Sequence, residues 1–195
     1  RVDRLMSDKQ KQSVKDKIFD RYPELKQAKD YNKSIIVYAP TFRKHRDISS
    51  EIESLIDEIK AEDRIIVIKK HPLMELSMEE SKGVIIDKFF STEEMLYIAD
   101  YVISDYSAIV FEAALLEKRM CYFAFDLDEY KASRSFYLDY ECDMPGAVCR
   151  NAYEVEAALR DFHFDVEAVR SFAHSYVEKT DDVTKELADI VLMKK

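Results

Sequence analysis

Five short, almost uninterrupted apolar runs decide what this chain can fold into: Ile35-Ile36-Val37-Tyr38-Ala39, Ile65-Ile66-Val67-Ile68, Val84-Ile85-Ile86, Tyr101-Val102-Ile103 and Met120-Cys121-Tyr122-Phe123-Ala124-Phe125. A strand with one wet face alternates apolar and polar residues. These runs do not alternate, so each needs cover on both sides, as in a parallel sheet held between helices. The intervals carry helical patterns. Ser50 with Glu53 reads as a capping box ahead of Ile52, Leu55, Ile56 and Ile59, and Ser91 with Glu94 repeats the device before Met95, Leu96 and Ile98. Ile109, Val110, Ala113, Ala114 and Leu116 mark a third helix. Strands alternating with helices predict an α/β fold, a doubly wound parallel sheet with right-handed crossovers.

The flanking segments are less regular. Residues 1–32 are highly charged; Ser7 is placed to cap a helix running to about Phe19, with Val14 and Ile18 on one face, before Pro23 interrupts. This stretch reads as a connector or outer helix rather than core, leaving 33–195 as the domain. After Phe125 a weaker strand, Ala147-Val148-Cys149, follows Pro145-Gly146. Three amphipathic helices then close the chain, marked by Val155, Ala158, Leu159 and Phe162, by Val166, Val169, Phe172, Ala173 and Val177, and by Val183, Leu187, Ile190 and Val191.

Composition narrows the class. An apolar fraction of 47% excludes a disordered chain. No apolar run approaches the roughly 18 residues that span a bilayer, and the N-terminus lacks the apolar core of a signal peptide. Three cysteines without a C-x-x-C spacing support neither a disulfide framework nor a zinc site, which points to a soluble chain from a reducing compartment. A net charge of −9 disfavours nucleic acid as a partner.

In an open α/β sheet, ligands bind beyond the carboxyl ends of the strands. Four loops of this chain fall there. Ala39-Pro40-Thr41-Phe42-Arg43 follows the first run, and Arg43 is suited to fork onto a phosphate. Lys69-Lys70-His71-Pro72 follows the second, where Pro72 restrains His71 to extended geometry and aims an imidazole fit for acid–base work or phosphate binding. Ser104-Asp105-Tyr106-Ser107 ends the fourth and opens a helix, bringing two hydroxyls to a helix start; plain N-capping by Ser104 or Asp105 is the competing explanation. Glu112 in that helix would accept from a ribose on its inner face or be solvated on its outer one. Asp126-Leu127-Asp128-Glu129-Tyr130 and then Arg134-Ser135-Phe136-Tyr137 follow the fifth run, with Arg134 a second candidate phosphate ligand whose loop Asp126 and Tyr130 would fix.

No G-x-G-x-x-G, P-loop, G-x-S-x-G or H-E-x-x-H occurs, and scattered acidic residues make no dedicated metal cage. The four loops taken together do carry a resemblance. In order, Tyr38-Ala39-Pro40-Thr41-Phe42-Arg43, Lys70-His71-Pro72, Ser104-Asp105-Tyr106-Ser107 with Ile109 and Phe111, Asp126 with Tyr130, Arg134 through Tyr137, and Pro145-Gly146 resemble the C-terminal half of the CDP-glycerol:poly(glycerophosphate) glycerophosphotransferases, the teichoic acid primases and polymerases of Gram-positive bacteria. The resemblance runs from Arg1-Val2-Asp3 to about residue 182.

It implies a Rossmann-like three-layer α/β/α domain, the C-terminal half of a GT-B fold, binding an activated donor. In such an enzyme a hydroxyl at the growing chain end attacks the β-phosphate of CDP-glycerol and CMP leaves, so catalysis rests on positioning and charge neutralisation. By the same resemblance His71 is the catalytic histidine acting on the donor phosphate. Ser104 and Ser107, with Asp105 and Tyr106 between them, form the pyrophosphate segment; Arg43 and Arg134 are basic positions nearby. The implied partners are CDP-glycerol or a related CDP-polyol, a polyol-phosphate polymer acceptor, an N-terminal GT-B domain missing from this chain, and the inner face of the plasma membrane, reached from the cytoplasm by the full-length protein. No cofactor is implied.

Departures from the family pattern are Ala108 for a second serine, Glu112 for aspartate, Ser135 for glycine, and Asp182 for glycine. A W-H-G histidine of the N-terminal half has no counterpart, since the chain has no Trp; a chain starting at Arg1-Val2-Asp3 reads as a fragment cut at the domain junction. The Ala108 change leaves ribitol or another polyol open as the donor. Two rivals remain at this point: a GT-B donor domain for a nucleotide sugar, and a non-catalytic α/β interaction module.

Overall fold

The structure is a computed structural model that describes residues 8–43, 46–70, 80–134, 136–161, 164–177 and 183–192. Its elements run α1 (Asp8–Arg21), α2 (Pro23–Asp30), β1 (Ser34–Ala39), α3 (Ser49–Ile59), β2 (Arg64–Lys69), β3 (Val84–Asp87), α4 (Thr92–Met95), β4 (Tyr101–Ser104), α5 (Ile109–Leu115), β5 (Arg119–Phe123), α6 (Leu127–Ser133), β6 (Ala147–Cys149), α7 (Ala152–Asp161), α8 (Val166–Tyr176) and α9 (Val183–Leu192). All five apolar runs form strands, the fifth ending at Phe123 so that Ala124 and Phe125 already lie in the following loop, and the weaker Ala147-Val148-Cys149 is a sixth.

The strands form one sheet in the order β3-β2-β1-β4-β5-β6, and every pairing is parallel. The sheet therefore has the Rossmann-like three-layer arrangement expected, and the strand order reverses between β1 and β4. There Ala39 lies opposite Ser104 in register. Alternate residues of each strand feed opposite cores. Ile35, Val37, Val67, Val102 and Tyr122 face α1, α2, α5 and α8 on one side. Ile36, Tyr38, Ile66, Ile103 and Phe123 face α3 and α7 on the other. Burial on both faces is why the runs carry no polar alternation, and each fully buried aliphatic side chain there contributes about 1.5–3 kcal/mol.

Three local readings need correction. Residues 8–30 are not a mere connector: Ile18, Tyr22, Leu25 and Ala28 belong to the core beside β1. The many charged residues of α1 made its short apolar face look too small to be core, yet a helix needs only a narrow apolar stripe to dock on a sheet. The capping box at Ser50 and Glu53 does not form. Helix α3 starts at Ser49, and Asp47 instead accepts bonds from the Ser49 backbone N–H and hydroxyl at 2.9 and 2.6 Å. The second box is real, with Ser91 Oγ accepting from the Glu94 N–H at 3.2 Å and the Ser91 N–H donating to Glu94 at 2.8 Å. The third correction concerns the start of α5: neither Ser104 nor Asp105 caps it, since the N-cap is Ala108.

Gly146 is dictated by space. A Cβ there would sit 2.3 Å from the Met120 carbonyl oxygen, so the chain entering β6 passes β5 more closely than any side chain allows. At the other end of the chain, α9 leaves Leu187, Ile190, Val191 and Leu192 exposed. Among the described residues no helix is long and apolar enough to cross a membrane.

Candidate functional site

The reversal of strand order leaves a crevice above Ala39 and Ser104, where the loops after β1 and β4 must diverge. Its centre is a buried charge network. The Asp105 carboxylate, 1% exposed, accepts from the Thr41 N–H at 2.9 Å, from the Thr41 hydroxyl, and from Arg43 Nη2 at 3.0 Å. Arg43 continues to the loop after β5, donating through Nε to Asp126 at 2.8 Å and through Nη2 to the same carboxylate at 3.2 Å, while Nη1 donates to the Thr41 carbonyl at 2.8 Å. Three loops far apart in the chain are thereby tied by one guanidinium.

One cation thus serves two buried carboxylates, and they respond differently. Burial pushes the Asp105 carboxyl above its ordinary value, against the pull of Arg43 and Thr41. Burial also opposes the Asp126 charge, but there the Arg43 hydrogen bonds and charge, with the Tyr106 hydroxyl donating at 2.9 Å, prevail and hold it below the usual carboxylate range. Arg43 loses solvation too, yet the Asp126 bonds and the Asp105 charge keep its pKa raised. Breaking such a buried pair from one side costs about 3–5 kcal/mol, because a bare charge stays behind.

Aromatic rings wall the network. Tyr106 stacks on Tyr130 with centroids 3.8 Å apart, and the Arg43 guanidinium carbon lies 4.8 Å from the Tyr106 centroid and 5.1 Å from that of Tyr130. Tyr140, whose hydroxyl donates to the Asp105 carbonyl at 2.6 Å, packs at a tilt against Tyr106 and Phe136. Beside this wall opens a cleft of about 220 Å³, with Ser107, Ala108, Phe111, Phe136 and Tyr137 among its lining.

The expected site residues divide accordingly. Arg43, Ser104, Asp105, Tyr106, Ser107 and Arg134 are gathered at this end of the sheet by their strands and contacts. Their contacts within the protein differ. Arg43 is 7% exposed at its side chain and bonded to protein acceptors through all three nitrogens, so it positions loops. Ser104 donates its hydroxyl to the Ala39 carbonyl at 3.1 Å inside the sheet and is itself buried. Ser107 lines the cleft, its Oγ 3.4 Å from the Ile109 N–H.

Arg134 is the exposed cation, its guanidinium carbon 5.7 Å from the Tyr130 centroid, with no carboxylate in ion-pair range among the described residues. Glu112 is buried on α5 and does not line the cleft. His71, Pro72 and Ser135 lie outside the described residues, as do Arg1-Val2-Asp3 and Asp181-Asp182.

Sequence reasoning missed Thr41 and Tyr140 as parts of this site. Thr41 stood inside the quoted motif and carried a signal; Tyr140 sits in irregular chain with none. It also missed a second buried network at the carboxyl ends of β2 and β3. Lys69 Nζ donates to Asp87 and to the Phe90 carbonyl, and Asp87 in turn accepts from the Tyr22 hydroxyl at 2.7 Å. The network ties the junction of α1 and α2 to β2 and β3, one residue before Lys70. No group of three or more His, Cys, Asp or Glu among the described residues could hold a metal ion.

A parallel sheet of this strand order, with its polar loops collected at the reversal, is a Rossmann-like domain whose crevice lies where open α/β sheets bind ligands. Comparison with known proteins narrows this. The description of the CDP-Glycerol:Poly(glycerophosphate) glycerophosphotransferase family matches residues 1–191, and the chain belongs to that family. It is 29% identical over 198 residues to a teichoic acid poly(ribitol-phosphate) polymerase of Bacillus spizizenii, covering 95% of this chain and 31% of the relative. It is 33% identical over 136 residues to a teichoic acid glycerol-phosphate primase of the same organism, covering 66% of this chain and 35% of the primase. Among solved structures, a variant of the wall teichoic acid polymerase TagF soaked with CDPG superposes with a TM-score of 0.71 at 22% identity, covering 98% of this chain and half of that one. The chain therefore spans about a third of these curated relatives and half of the solved polymerase.

Proposed function

We propose that this chain is the donor-binding half of a teichoic acid polymerase or primase, a transferase that takes glycerol phosphate from CDP-glycerol, or the corresponding unit from another CDP-polyol, and adds it to a growing polyol-phosphate polymer. The observation that supports this reading most is the convergence of the loops after β1, β4 and β5 at the strand-order reversal, in a chain of this family. In the reaction an acceptor hydroxyl oxygen forms a bond to the β-phosphorus, the bridging P–O bond to the cytidylyl phosphate breaks, the electron pair leaves with CMP, and the hydroxyl proton passes to a base.

The residues take distinct parts. Arg134, exposed and backed by the Tyr130 ring, meets the diphosphate charge, and Ser107 contributes a hydroxyl from the cleft. Arg43 and Asp126 hold these groups in place, together with Asp105 and Tyr106, which also line the cleft beside Ser107. His71, two residues beyond β2, is assigned the proton transfer or phosphate contact by family resemblance. The other half of the GT-B fold closes over the crevice, excludes water and supplies the acceptor side. Work at the inner face of the membrane belongs to the full-length protein.

Thermal unfolding with nucleotide ligands tests this. CDP or CDP-glycerol at a hundredfold excess over its dissociation constant stabilises the chain by about 2.7 kcal/mol. In the full-length enzyme, His71→Ala abolishes turnover with modest change in nucleotide affinity. No shift with cytidine nucleotides, alongside a shift with a uridine nucleotide, would replace this reading with a nucleotide-sugar transferase.

A further inference from the structure

The end of the sheet opposite the crevice carries a groove that the proposed chemistry does not use. It has a volume of about 890 Å³ and runs across the amino ends of β1, β2 and β3, between α2 and the start of β2. Its floor is apolar, made by Ala28, Ile65 and Gly83. Its lining also carries Lys33, Lys60 and Lys82, together with Glu24, Glu62, Gln27 and the exposed ring of Tyr31. Among the described residues none of the three ammonium groups lies within ion-pair distance of a carboxylate; Lys60 reaches only the Ser81 hydroxyl at 3.3 Å. Arg64 in the same groove is already paired with Asp63 and Glu156. On a chain of net charge −9, a concavity that keeps three lysines uncommitted stands out from the field around it.

The mixture selects a ligand class. A lone phosphate would be lost in so large a space, which falls in the range of sites that enclose whole organic ligands. A flat anionic membrane could not enter a concave groove and would find no apolar anchor but Tyr31. Single-stranded nucleic acid would find one ring to stack on. A flexible chain alternating phosphodiesters and hydroxyl-bearing carbons matches each part: lysines for phosphates, Glu24, Glu62 and Gln27 as acceptors for hydroxyls, and the apolar floor for methylenes.

We propose that this groove is a second binding site for a polyol-phosphate chain, separate from the crevice by the length of β1, about 20 Å at roughly 3.3 Å per residue. The inference rests on the reading above for the polymer's identity. A growing chain held here stays near the enzyme between additions, since binding at two points raises its local concentration.

The test is titration calorimetry of this chain with short poly(glycerol phosphate) oligomers. The variants are Lys33→Glu, Lys60→Glu and Lys82→Glu, singly and together, checked for fold by circular dichroism. The triple variant loses at least tenfold in oligomer affinity and most of the salt dependence, each single variant loses part, and CDP protection is unchanged in all. Absence of oligomer binding by the parent chain overturns the proposal. So does an unchanged affinity in the charge-reversed variants, a loss caused instead by Arg134→Ala, or equal binding of vesicles rich in phosphatidylglycerol. If CDP fails to protect while oligomer binding still depends on the three lysines, the donor-domain reading falls and the groove stands; the reverse pattern removes the groove alone.

Discussion

The two ends of the sheet hold positive charge in opposite ways. At the carboxyl end Arg43 is buried, neutralised and shared by Asp105 and Asp126, so its charge organises the loops and little of it reaches a ligand. At the amino end Lys33, Lys60 and Lys82 surround an open groove without carboxylate partners among the described residues. A buried, fully bonded cation gives geometry; exposed ones give long-range attraction that salt can screen. Arg134 stands between these cases, exposed like the lysines but placed beside the rigid network.

Replacing Arg43 breaks the contrast most severely. Arg43→Leu leaves Asp105 and Asp126 facing each other in the interior and costs about 3–5 kcal/mol in urea unfolding. If the loss is instead close to that of a surface residue, the network is not the organiser described. Gly146→Ala follows, at about 1–3 kcal/mol, because the new methyl must displace the β5 backbone.

The pH response separates the two carboxylates. The Asp105 pKa is raised on folding, so its contribution is fully present below the unfolded value of about 3.9 and is lost as pH rises through the folded one. Asp126 is depressed, so its contribution is present above about 3.9 and is lost as pH falls through its folded value. Acidification through the raised Asp105 value therefore stabilises its region, until the pH falls to about 3.9 and the Asp126 contribution begins to be lost. Urea midpoints against pH should show Asp105→Asn removing the gain and Asp126→Asn removing the later loss; equal profiles in both variants would contradict the division.

The smallest effects on stability belong to the exposed cations. Arg134→Ala and Lys60→Glu each change unfolding free energy by less than about 0.5 kcal/mol. Arg134→Ala nonetheless weakens CDP protection by about tenfold in affinity, the size of one lost charged hydrogen bond. A large stability loss at either position would erase the distinction between organising and recruiting charge.

Much of the fold was legible because burial on both faces leaves no polar alternation, and that is a property of neighbouring residues. The strands follow from it, as does α5. Helix α1 misled for the converse reason: Ile18, with the partly buried Val14 and Phe19, suffices to dock it, although the segment around them is highly charged. The capping box at Ser50 failed because Asp47, three residues upstream, competes for the helix start. In the site, motif order brought the loops after β1, β4 and β5 into view, but not which side chains turn inward. Arg43 and Arg134 look alike as letters beside polar turns, and only one is buried.

Local pattern, then, determined the elements, their alternation and the family, since apolar periodicity and motif order are written along the chain itself. The tertiary structure alone decided that Arg43 is sealed between two carboxylates while Arg134 faces solvent, and that Lys33, Lys60 and Lys82 border one groove. Those outcomes depend on strand order, which places segments distant in sequence side by side. Burial and charge pairing are properties of that arrangement, and no stretch of residues contains them.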